Sequence, residues 1–432
     1  MTSETIISEK IKIPLPTRST SKNMISHLPG IRLPARNAST YKETFLLFIT
    51  EEILQIIVDK TNEYIQTVRD KFSRERDALD TNLAKLKACL AILIMFGMYR
   101  ASHVSYLDMF NTDGTGIEFV PMCMSAKRFL FLLRCLRFDS LSTRTVRRAT
   151  DRMPHIRKKF DLFVRQCKVN YSPGEYLTID EMLIPFRGRC SFKQYIPNKP
   201  AKYGLKIYSI ADARTFYTYN LELYVGKQPE GEFATSNSPT DVVKRLVEPI
   251  RGTNRNITCD NWYKSVPLAQ DLFKNYSLTL VGTMRKSRRE ISPEFLSNKR
   301  REAKSSVFGF CDNMLLVSYV PKKYRSVSLL STMHSSADID KASGDDKKPE
   351  VITFYNVTKA AVDVVDQLCA TYSCQRRTRR WPLAVFFALI NIAGINSYVL
   401  YNYYKSPVNK VKRHIFLRQL AMDLASEQMN AK

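Results

Sequence analysis

Three aspartates stand at places in the sequence from which carboxylates far apart in the chain could meet at one site. Asp180 and Asp260 each close a short run rich in β-branched residues, 176–180 and 256–260, whereas Asp363 begins a helix-like run. Hard divalent cations such as Mg²⁺ and Mn²⁺ prefer oxygen ligands, and two such ions about 4 Å apart can hold the attacking and leaving oxygens of a phosphodiester. The three acids therefore indicate a metal-dependent enzyme that acts on nucleic acid.

The elements between these acids follow an order that would place them together. Apolar patterning predicts, in this order, strands at 176–179, 205–211 and 217–225, a helix at 238–247, a strand at 256–259, a helix at 265–273 and a strand at 278–284. This is the order of a ribonuclease H-like core, in which the first and fourth strands lie side by side. We therefore expect Asp180 to end the first strand beside Asp260 at the end of the fourth, with Asp363 supplied by a closing helix.

The three aspartates do not by themselves establish such a site. The chain has 41 acidic residues, which offer many possible triples. From the spacing alone, Asp180 and Asp260 could equally cap the ends of strands or pair with neighbouring lysines and arginines. The context of each acid must decide between these interpretations.

The charge of the chain indicates the kind of partner. The 432 residues include 67 lysines and arginines against 41 aspartates and glutamates, which gives a formal net charge of +26. A polyanion is favoured, because neutralising phosphates releases counterions and speeds encounter. DNA or RNA is the preferred partner, an anionic membrane surface is the weaker alternative, and no small-molecule substrate is expected.

Cysteines and apolar runs bear on the compartment. The nine cysteines are scattered without any CxxC or CxxxH pairing, which indicates reduced, buried thiols in an intracellular protein and no zinc site. The first residues lack the charged segment and apolar core of a secretory signal. The apolar run 381–401 is expected to be a buried core helix rather than a membrane span, because polar residues such as Asn391 and Asn396 interrupt it.

From about Lys42 to Leu420 the chain resembles the piggyBac transposases in six motifs. They are Leu177-Thr-Ile-Asp-Glu181, Phe186-Arg-Gly-Arg-Cys190, Tyr195-Ile-Pro-Asn-Lys-Pro-Ala-Lys-Tyr-Gly204, Asn256-Ile-Thr-Cys-Asp-Asn-Trp262, Leu280-Val-Gly-Thr283 and Arg379-Arg-Trp-Pro382. The resemblance implies an α/β fold with a ribonuclease H-like catalytic core, made of a mixed sheet with helices on both faces, and an insertion domain. It also implies a mostly helical dimerisation and DNA-binding domain assembled from sequence on both sides of the core.

The resemblance and the changes of pattern along the chain divide it into six segments. They are a disordered basic arm at 1–40, the first part of the helical dimerisation and DNA-binding domain at 41–175, the first part of the catalytic core at 176–285, the insertion domain at 286–349, the closing helix of the core at 350–372 and the second part of the helical domain at 373–432. The arm is expected to be disordered because it has few residues that could bury apolar surface.

The resemblance also implies the active site. The catalytic and metal-binding residues would be Asp180, Asp260 and Asp363, with Asp366 as an accessory acid. Such transposases use metal-activated water, and then the freed 3′ hydroxyl, to cut and rejoin DNA at TTAA sites through hairpin intermediates. The implied cofactor is a pair of Mg²⁺ or Mn²⁺ ions, bridged by Asp180 and completed by Asp260 and Asp363.

Basic and aromatic residues near these acids are expected to contact DNA. Lysines and tyrosines interleave after the first strand, a mixture suited to phosphate contact and base stacking, although a solvated strand face would show the same pattern. With basic groups after the fifth strand and before the long apolar run, the expected DNA-binding residues are Lys199, Lys202, Lys206, Arg285, Arg288, Arg289, Arg376, Arg379, Arg380 and Trp381. For Trp381, packing inside the protein is an equally good interpretation.

The expected function is that of a DDE/D-type DNA transposase or its domesticated derivative. It would be a nuclear homodimer that binds double-stranded DNA, both TTAA targets and transposon ends. The alternative is a catalytically silent, transposase-derived protein that binds DNA or chromatin. This alternative is motivated by the lack, in this sequence, of the cysteine-rich zinc-binding domain with which the family usually ends.

Overall fold

The structure, a computed structural model, describes residues 23–296 and 301–431. Residues 1–22 of the expected disordered arm lie outside the described residues. Residues 23–40 differ from the expectation of disorder, because strand β1 (Gly30–Ile31) pairs with residues 171 and 172 and is buried. The carbonyl of His27 also accepts a hydrogen bond from the buried guanidinium of Arg255. This part of the arm is held in place because a buried guanidinium requires acceptors.

The first half of the chain folds mainly as helices that begin at capping side chains. Thr50, for example, accepts a hydrogen bond from the backbone of Ile53 and begins a helix whose apolar residues recur at helical spacing and face the core. The helices are α1 (Tyr41–Leu46), α2 (Glu51–Val68), α3 (Leu83–Met98), α4 (Tyr106–Met109), α5 (Phe119–Cys123), α6 (Ala126–Cys135), α7 (Arg144–Arg147) and α8 (Arg157–Val169), followed by strand β2 (Tyr171–Ser172). Short 3₁₀ turns lie at Ala35–Asn37, Arg69–Lys71 and Glu75–Ala78.

A nine-stranded mixed sheet forms the middle of the molecule. Its strands are β3 (Tyr176–Pro185), β4 (Gln194–Tyr195), β5 (Tyr203–Asp212), β6 (Thr218–Leu223), β7 (Asn256–Cys259), β8 (Thr279–Thr283), β9 (Ser306–Cys311), β10 (Met314–Lys322) and β11 (Arg325–Ser331). They lie in the order β4, β5, β3, β7, β8, β11, β10 and β9, and β6 also pairs with β5. The connecting helices are α9 (Pro239–Val247), with a 3₁₀ turn at Glu248–Ile250, α10 (Val266–Asn275) and α11 (Pro293–Leu296).

The predicted succession of three strands, helix, strand, helix and strand is present between β3 and β8, with the two-residue strand β4 as an unpredicted addition after β3. β3 pairs antiparallel with β5 and parallel with β7, and β7 pairs parallel with β8. One detail of the prediction was wrong, because β3 continues to Pro185 and Asp180 lies in its middle. The strand continues because Met182, Leu183 and Ile184 are buried and pair with β5, which keeps their backbone in the sheet.

The inserted segment continues the same sheet. β9, β10 and β11 form an antiparallel set, and β11 pairs antiparallel with β8. After a 3₁₀ segment (Lys341–Asp346), α12 (Glu350–Thr358) and α13 (Ala361–Thr371) return to the middle of the sheet, where α13 packs on β3 and β5. The expected closing helix is therefore two helices, separated by Lys359 and Ala360.

The long apolar run forms α14 (Trp381–Asn402), which a 3₁₀ turn (Pro407–Asn409) separates from α15 (Arg413–Asn430). α14 is the one described helix long and apolar enough to cross a membrane, and 94% of its most apolar stretch is buried inside the protein. The amide of Asn396 in α14 pairs with the backbone N–H and carbonyl of Thr218 in β6. α14 packs against α1, and α15 packs along α3. The helical part therefore combines elements from early and late in the sequence.

Candidate active site

Asp180 and Asp260 follow paired residues on two neighbouring parallel strands. Ile179 of β3 opposes Cys259 of β7, so the two aspartates are the next residues along each strand. The carboxylate of Asp260 accepts a hydrogen bond from the backbone of Trp262 at 2.8 Å, which fixes the turn after β7. Both aspartates are half-buried. The sheet therefore places these two residues next to each other at the same level of neighbouring strands.

Two further acids come from α13, which packs over the same strands. Asp363 and Asp366 are three residues apart and therefore share one face of the helix. Between them lies the ammonium of Lys199, with its Nζ 2.9 Å from Asp363 Oδ1 and 3.7 Å from Asp366 Oδ2. The Lys199 side chain, from the loop between β4 and β5, is only 15% exposed. The structure thus brings four predicted acids and one predicted DNA-binding lysine into one region.

The region holds several carboxyl groups whose charged form is disfavoured by burial. Burial raises the pKa of Asp180 to about 8, and the charges of neighbouring carboxylates add to this shift. Burial likewise raises the pKa of Asp260 and of Asp366. Burial alone would lower the pKa of Lys199, but its hydrogen bond to Asp363 and the surrounding carboxylates outweigh burial and raise it. Additional positive charge at this place would therefore be stabilised.

The residues fit a hard divalent cation in their chemistry, because every acidic donor is a carboxylate oxygen. Their present spacing is open: no three His, Cys, Asp or Glu side chains in residues 23–296 and 301–431 are grouped so that they could hold a metal ion. Lys199 supplies the positive charge next to Asp363. Binding an ion through Asp363 would therefore require this carboxylate to exchange the Lys199 ammonium for the metal.

Aromatic rings form a wall beside Asp260. Trp262 stacks on Tyr208 with ring centroids 5.7 Å apart and an interplanar angle of 16°. The ammonium of Lys206 lies over three rings, 4.6 Å from the centroids of Tyr208 and Tyr224 and 5.2 Å from that of Trp262. Burial lowers the pKa of Lys206. Cation–π contacts therefore hold Lys206 against these rings. This differs from the expectation that the Lys206 ammonium is free to contact a phosphate.

The other predicted DNA-binding residues divide into exposed and buried ones. Four are exposed and remain available to a phosphate backbone: Lys202, Arg285, Arg289 and Arg379. Arg376 is buried and donates to the carbonyl of Ala101, and Arg380 donates to the carbonyls of Leu133, Arg134 and Leu136. Arg288 donates to the carbonyl of Lys264 at 3.1 Å.

The structure corrects the expectation for Arg376, which is buried, and shows the half-buried Arg380 in contact with backbone carbonyls. Both guanidinium groups join the segment before α14 to the N-terminal helices by bonding to carbonyls near the ends of α3 and α6. Carbonyls at the ends of helices have no partner within the helix, and arginine can satisfy several of them at once. The run of arginines in the sequence therefore mixes structural and exposed residues.

Trp381 packs among other rings. Its ring centroid is 5.0 Å from that of His155 and 5.1 Å from that of Phe192, both in edge-to-face geometry. It remains partly exposed at the start of α14. Trp381 therefore packs against other residues, which is the second of the two interpretations given above, and part of the residue remains accessible to solvent.

One residue of the site was not anticipated from the sequence, and a second has partners other than the expected ones. Glu181 lies next to Asp180, and its carboxylate accepts a hydrogen bond from the Tyr263 hydroxyl at 3.2 Å. Lys199 was expected on the DNA and not between Asp363 and Asp366. The adjacency of Glu181 to Asp180 is a signal that could have been used, whereas a contact between residues 199 and 363 leaves no trace in local spacing.

Comparisons with known proteins show which proteins the chain is similar to. A family model described as Transposase IS4 matches residues 40–398. Two human relatives are each 21% identical: PiggyBac transposable element-derived protein 5, over 86% of this chain and 72% of the relative, and PiggyBac transposable element-derived protein 3, over 81% and 60%. A cryo-EM structure of a piggyBac transposase synaptic complex with hairpin DNA matches with a TM-score of 0.87 and 39% identity, covering 94% of this chain and 84% of that one.

Proposed function

The chain belongs to the piggyBac transposases, and from this premise we propose that it cuts and joins DNA strands at the site formed by Asp180, Asp260 and Asp363. The sheet order supports a ribonuclease H-like core for this chemistry, because its first and fourth strands, β3 and β7, are parallel neighbours. The proposal includes the TTAA target and hairpin intermediates that the family resemblance implies.

One observation carries the proposal. Asp180 and Asp260 follow paired residues on parallel strands, and α13, which carries Asp363, packs over the same strands. A structural role for the half-buried Asp180 and Asp260 would favour a basic partner for each of them, because a buried charge without a partner is costly. Among the described residues, Lys199 is the one lysine in ion-pair contact with the acids of the site, and it pairs with Asp363 and Asp366. The arrangement is therefore better suited to binding added cations.

The chain's own residues would hold and orient the reacting groups. A pair of Mg²⁺ or Mn²⁺ ions held by Asp180, Asp260 and Asp363 would supply the charge that stabilises the attacking and leaving oxygens. Asp366 lies on the same face of α13 as Asp363 and keeps Lys199 close to the site. Trp262 stacks on the buried Tyr208 and stays partly exposed, so its ring would offer a surface against which an unpaired base can lie.

The exposed basic residues define where the DNA would run. Arg285 and Arg289 follow β8, the strand next to Asp260, and Lys202 follows Lys199 in the loop between β4 and β5. Their position supports phosphate contacts on two sides of the acids, which would orient a duplex across the site. We also propose that the protein acts as a homodimer in the nucleus; light scattering of the purified protein and imaging of the expressed protein test these two points.

The experiment that tests the proposed function uses the purified full chain and TTAA-flanked hairpin DNA. Cleavage and strand joining are measured with Mg²⁺, with Mn²⁺ and with EDTA. The unmodified protein is compared with Asp260→Asn, which keeps the shape of the side chain, and with Asp271→Asn, a matched change at an acid of α10 that pairs with Lys244 of α9. Product that requires metal and is lost only in Asp260→Asn supports the proposal. Metal-independent product, or equal activity of all three proteins, contradicts it.

A second candidate function is that of a DNA-binding protein without catalytic activity. The observation in its favour is the ion pair between Lys199 and Asp363, which fills the place of a cation at the third acid. In the experiment above, this candidate predicts salt-sensitive DNA binding and no product under any metal condition. The two functions are therefore separated by one set of reactions.

A further inference from the structure

Three buried threonines connect the two strands of the acid site to the end of α12. The hydroxyl of Thr178 in β3 donates to the carbonyl of Thr358, and the hydroxyl of Thr258 in β7 donates to the hydroxyl of Thr358 at 2.8 Å. The Thr358 hydroxyl in turn donates to the carbonyl of Phe354 at 2.9 Å. All three side chains are at most 1% exposed. The three threonines therefore form a closed set of hydrogen bonds inside the protein.

The position of these threonines relates them to the acids. Thr178 and Thr258 oppose each other in the register of β3 and β7, each two residues before an aspartate of the site. Side chains two residues apart in a strand point to the same face of the sheet. The hydroxyls of Thr178 and Thr258 therefore lie on the face that carries Asp180 and against which α12 and α13 pack.

The other end of the connection leads directly to the third acid. Thr358 is the last residue of α12, and only Lys359 and Ala360 separate it from α13, which carries Asp363. Carbonyls in the last turn of a helix lack partners within the helix. Thr178 supplies such a partner to the carbonyl of Thr358. Because Ala361 and Val362 at the start of α13 are also buried, a displacement of Thr358 is passed on to Asp363.

We propose that Thr178, Thr258 and Thr358 form a hydroxyl latch that sets the distance of Asp363 from Asp180 and Asp260. This inference rests on the proposed function in one respect only, namely the expected effect of the latch on the binding of metal ions at the three acids. The threonines are positioning residues, because they touch neither the acids' oxygens nor a substrate. A purely structural alternative is that the hydroxyls only satisfy buried polar groups and leave the position of α13 to apolar packing.

The test compares Thr358→Val with Thr358→Ser. Valine keeps the volume but removes the hydroxyl, whereas serine keeps the hydroxyl. Thr332→Val is the matched control, since Thr332 is a buried threonine next to the same sheet whose hydroxyl accepts from the backbone of Leu280. The first readout is hydrogen exchange across α13 in the metal-free protein. The second is Mn²⁺ binding measured by electron paramagnetic resonance.

The latch predicts faster exchange across α13 and about tenfold weaker Mn²⁺ binding in Thr358→Val, as is typical when a group that supports a ligand is lost. Both should be restored in Thr358→Ser and unaffected in Thr332→Val. If Thr358→Val does not fold, Thr258→Val takes its place, because it removes one hydrogen bond and leaves the other two. Exchange and Mn²⁺ binding equal to those of the unmodified protein would overturn the latch.

The two readouts separate the latch from the proposed function. If the unmodified protein binds no Mn²⁺, the proposed function fails, and the exchange of α13 alone decides about the latch. If the unmodified protein binds Mn²⁺ and the hydroxyl-free variants bind it equally well without faster exchange, the latch fails and the proposed function stands.

Discussion

Lys199 sits between Asp363, to which the proposed function assigns a metal ion, and the accessory acid Asp366. Its ammonium is 2.9 Å from Asp363 and offsets part of the negative charge of the site. A lysine in this place gives the metal-free protein a defined arrangement of α13 and the loop between β4 and β5. It also competes with any cation that binds Asp363.

Replacing Lys199 with methionine tests this competition. The metal-free protein should lose about 1 kcal/mol of unfolding free energy, because the partner Asp363 is 61% exposed and solvent screens the pair. The increase in melting temperature caused by Mn²⁺ should become larger than in the unmodified protein, since the ion no longer displaces an ammonium. Lys202→Met, in the same loop but exposed, is the control. An unchanged Mn²⁺ effect in Lys199→Met would show that the two cations do not compete.

Lys264 gives a prediction for pH. Burial lowers the pKa of Lys264 to about 7, and its amine donates to the carbonyls of Gly282 and Leu330. In the unfolded chain the pKa of a lysine is about 10.4. Between these values the unfolded state binds more protons than the folded state, so the unfolding free energy rises with pH from about 7 to about 10.

Denaturant titrations from pH 6 to pH 10 measure this effect. The unfolding free energy of the unmodified protein should rise relative to that of Lys264→Met across the upper part of this range, and below pH 7 the difference should be constant. Curves that stay parallel from pH 6 to pH 10 would mean that Lys264 keeps its proton inside the fold.

At the scale of elements, the backbones of strands β7 and β8 approach each other closely beside the site. A Cβ atom on Gly282 would lie 2.1 Å from the carbonyl oxygen of Cys259, the residue before Asp260. An alanine at this position would push β7 and β8 apart. Position 282 therefore requires glycine, because the neighbouring strand leaves no space for a Cβ atom.

Gly282→Ala should destabilise the protein by at least about 2 kcal/mol, because the added atom overpacks a buried backbone contact. Gly394→Ala is the matched control, since the added Cβ in α14 would be 3.4 Å from Leu417 and alanine favours a helix by up to about 1 kcal/mol. Thermal unfolding of the two variants measures the contrast. Equal melting temperatures would contradict the close approach of β7 and β8.

Elements with a strong pattern could be predicted from the sequence, and contacts between distant elements could not. The run before Asp180 is rich in β-branched residues and ends in an acid, which predicted the strand but not its continuation through Met182 to Pro185, because that depends on pairing with β5. Asp180 and Asp260 were selected from their context in strands, and Asp363 from the helix-like run that it begins. Arg376 carries the same local signal as the exposed Arg379, and only the position of the N-terminal helices decides which of them is buried.

At the scale of the whole molecule, the net charge of +26 favours DNA binding through those charged residues that solvent can reach. Arg379 is exposed, whereas Arg376 is 4% exposed and bonded to the carbonyl of Ala101. The two arginines are three residues apart. They therefore offer a matched pair in which charge is removed equally and only burial differs.

Arg379→Gln should weaken DNA binding and reduce the slope of log affinity against log salt concentration by about 1, because one phosphate contact is lost. Its melting temperature should not change. Arg376→Gln should instead lower the unfolding free energy by about 2 kcal/mol through loss of charged hydrogen bonds. Fluorescence anisotropy with duplex DNA at several salt concentrations, together with thermal unfolding, measures both. A reduced salt slope in Arg376→Gln with unchanged stability would contradict its structural role.

The packing of α15 along α3 has a consequence for synthesis. α3 ends at Met98 and buries nearly all of its length, but α15 begins only at Arg413. At ribosomal rates of roughly 5–20 residues per second, the separation of roughly 300 residues leaves the apolar surface of α3 without this partner for tens of seconds. The nascent chain must be protected during that interval, so its yield in a cell should depend on chaperones that hold apolar segments until translation reaches the last helix.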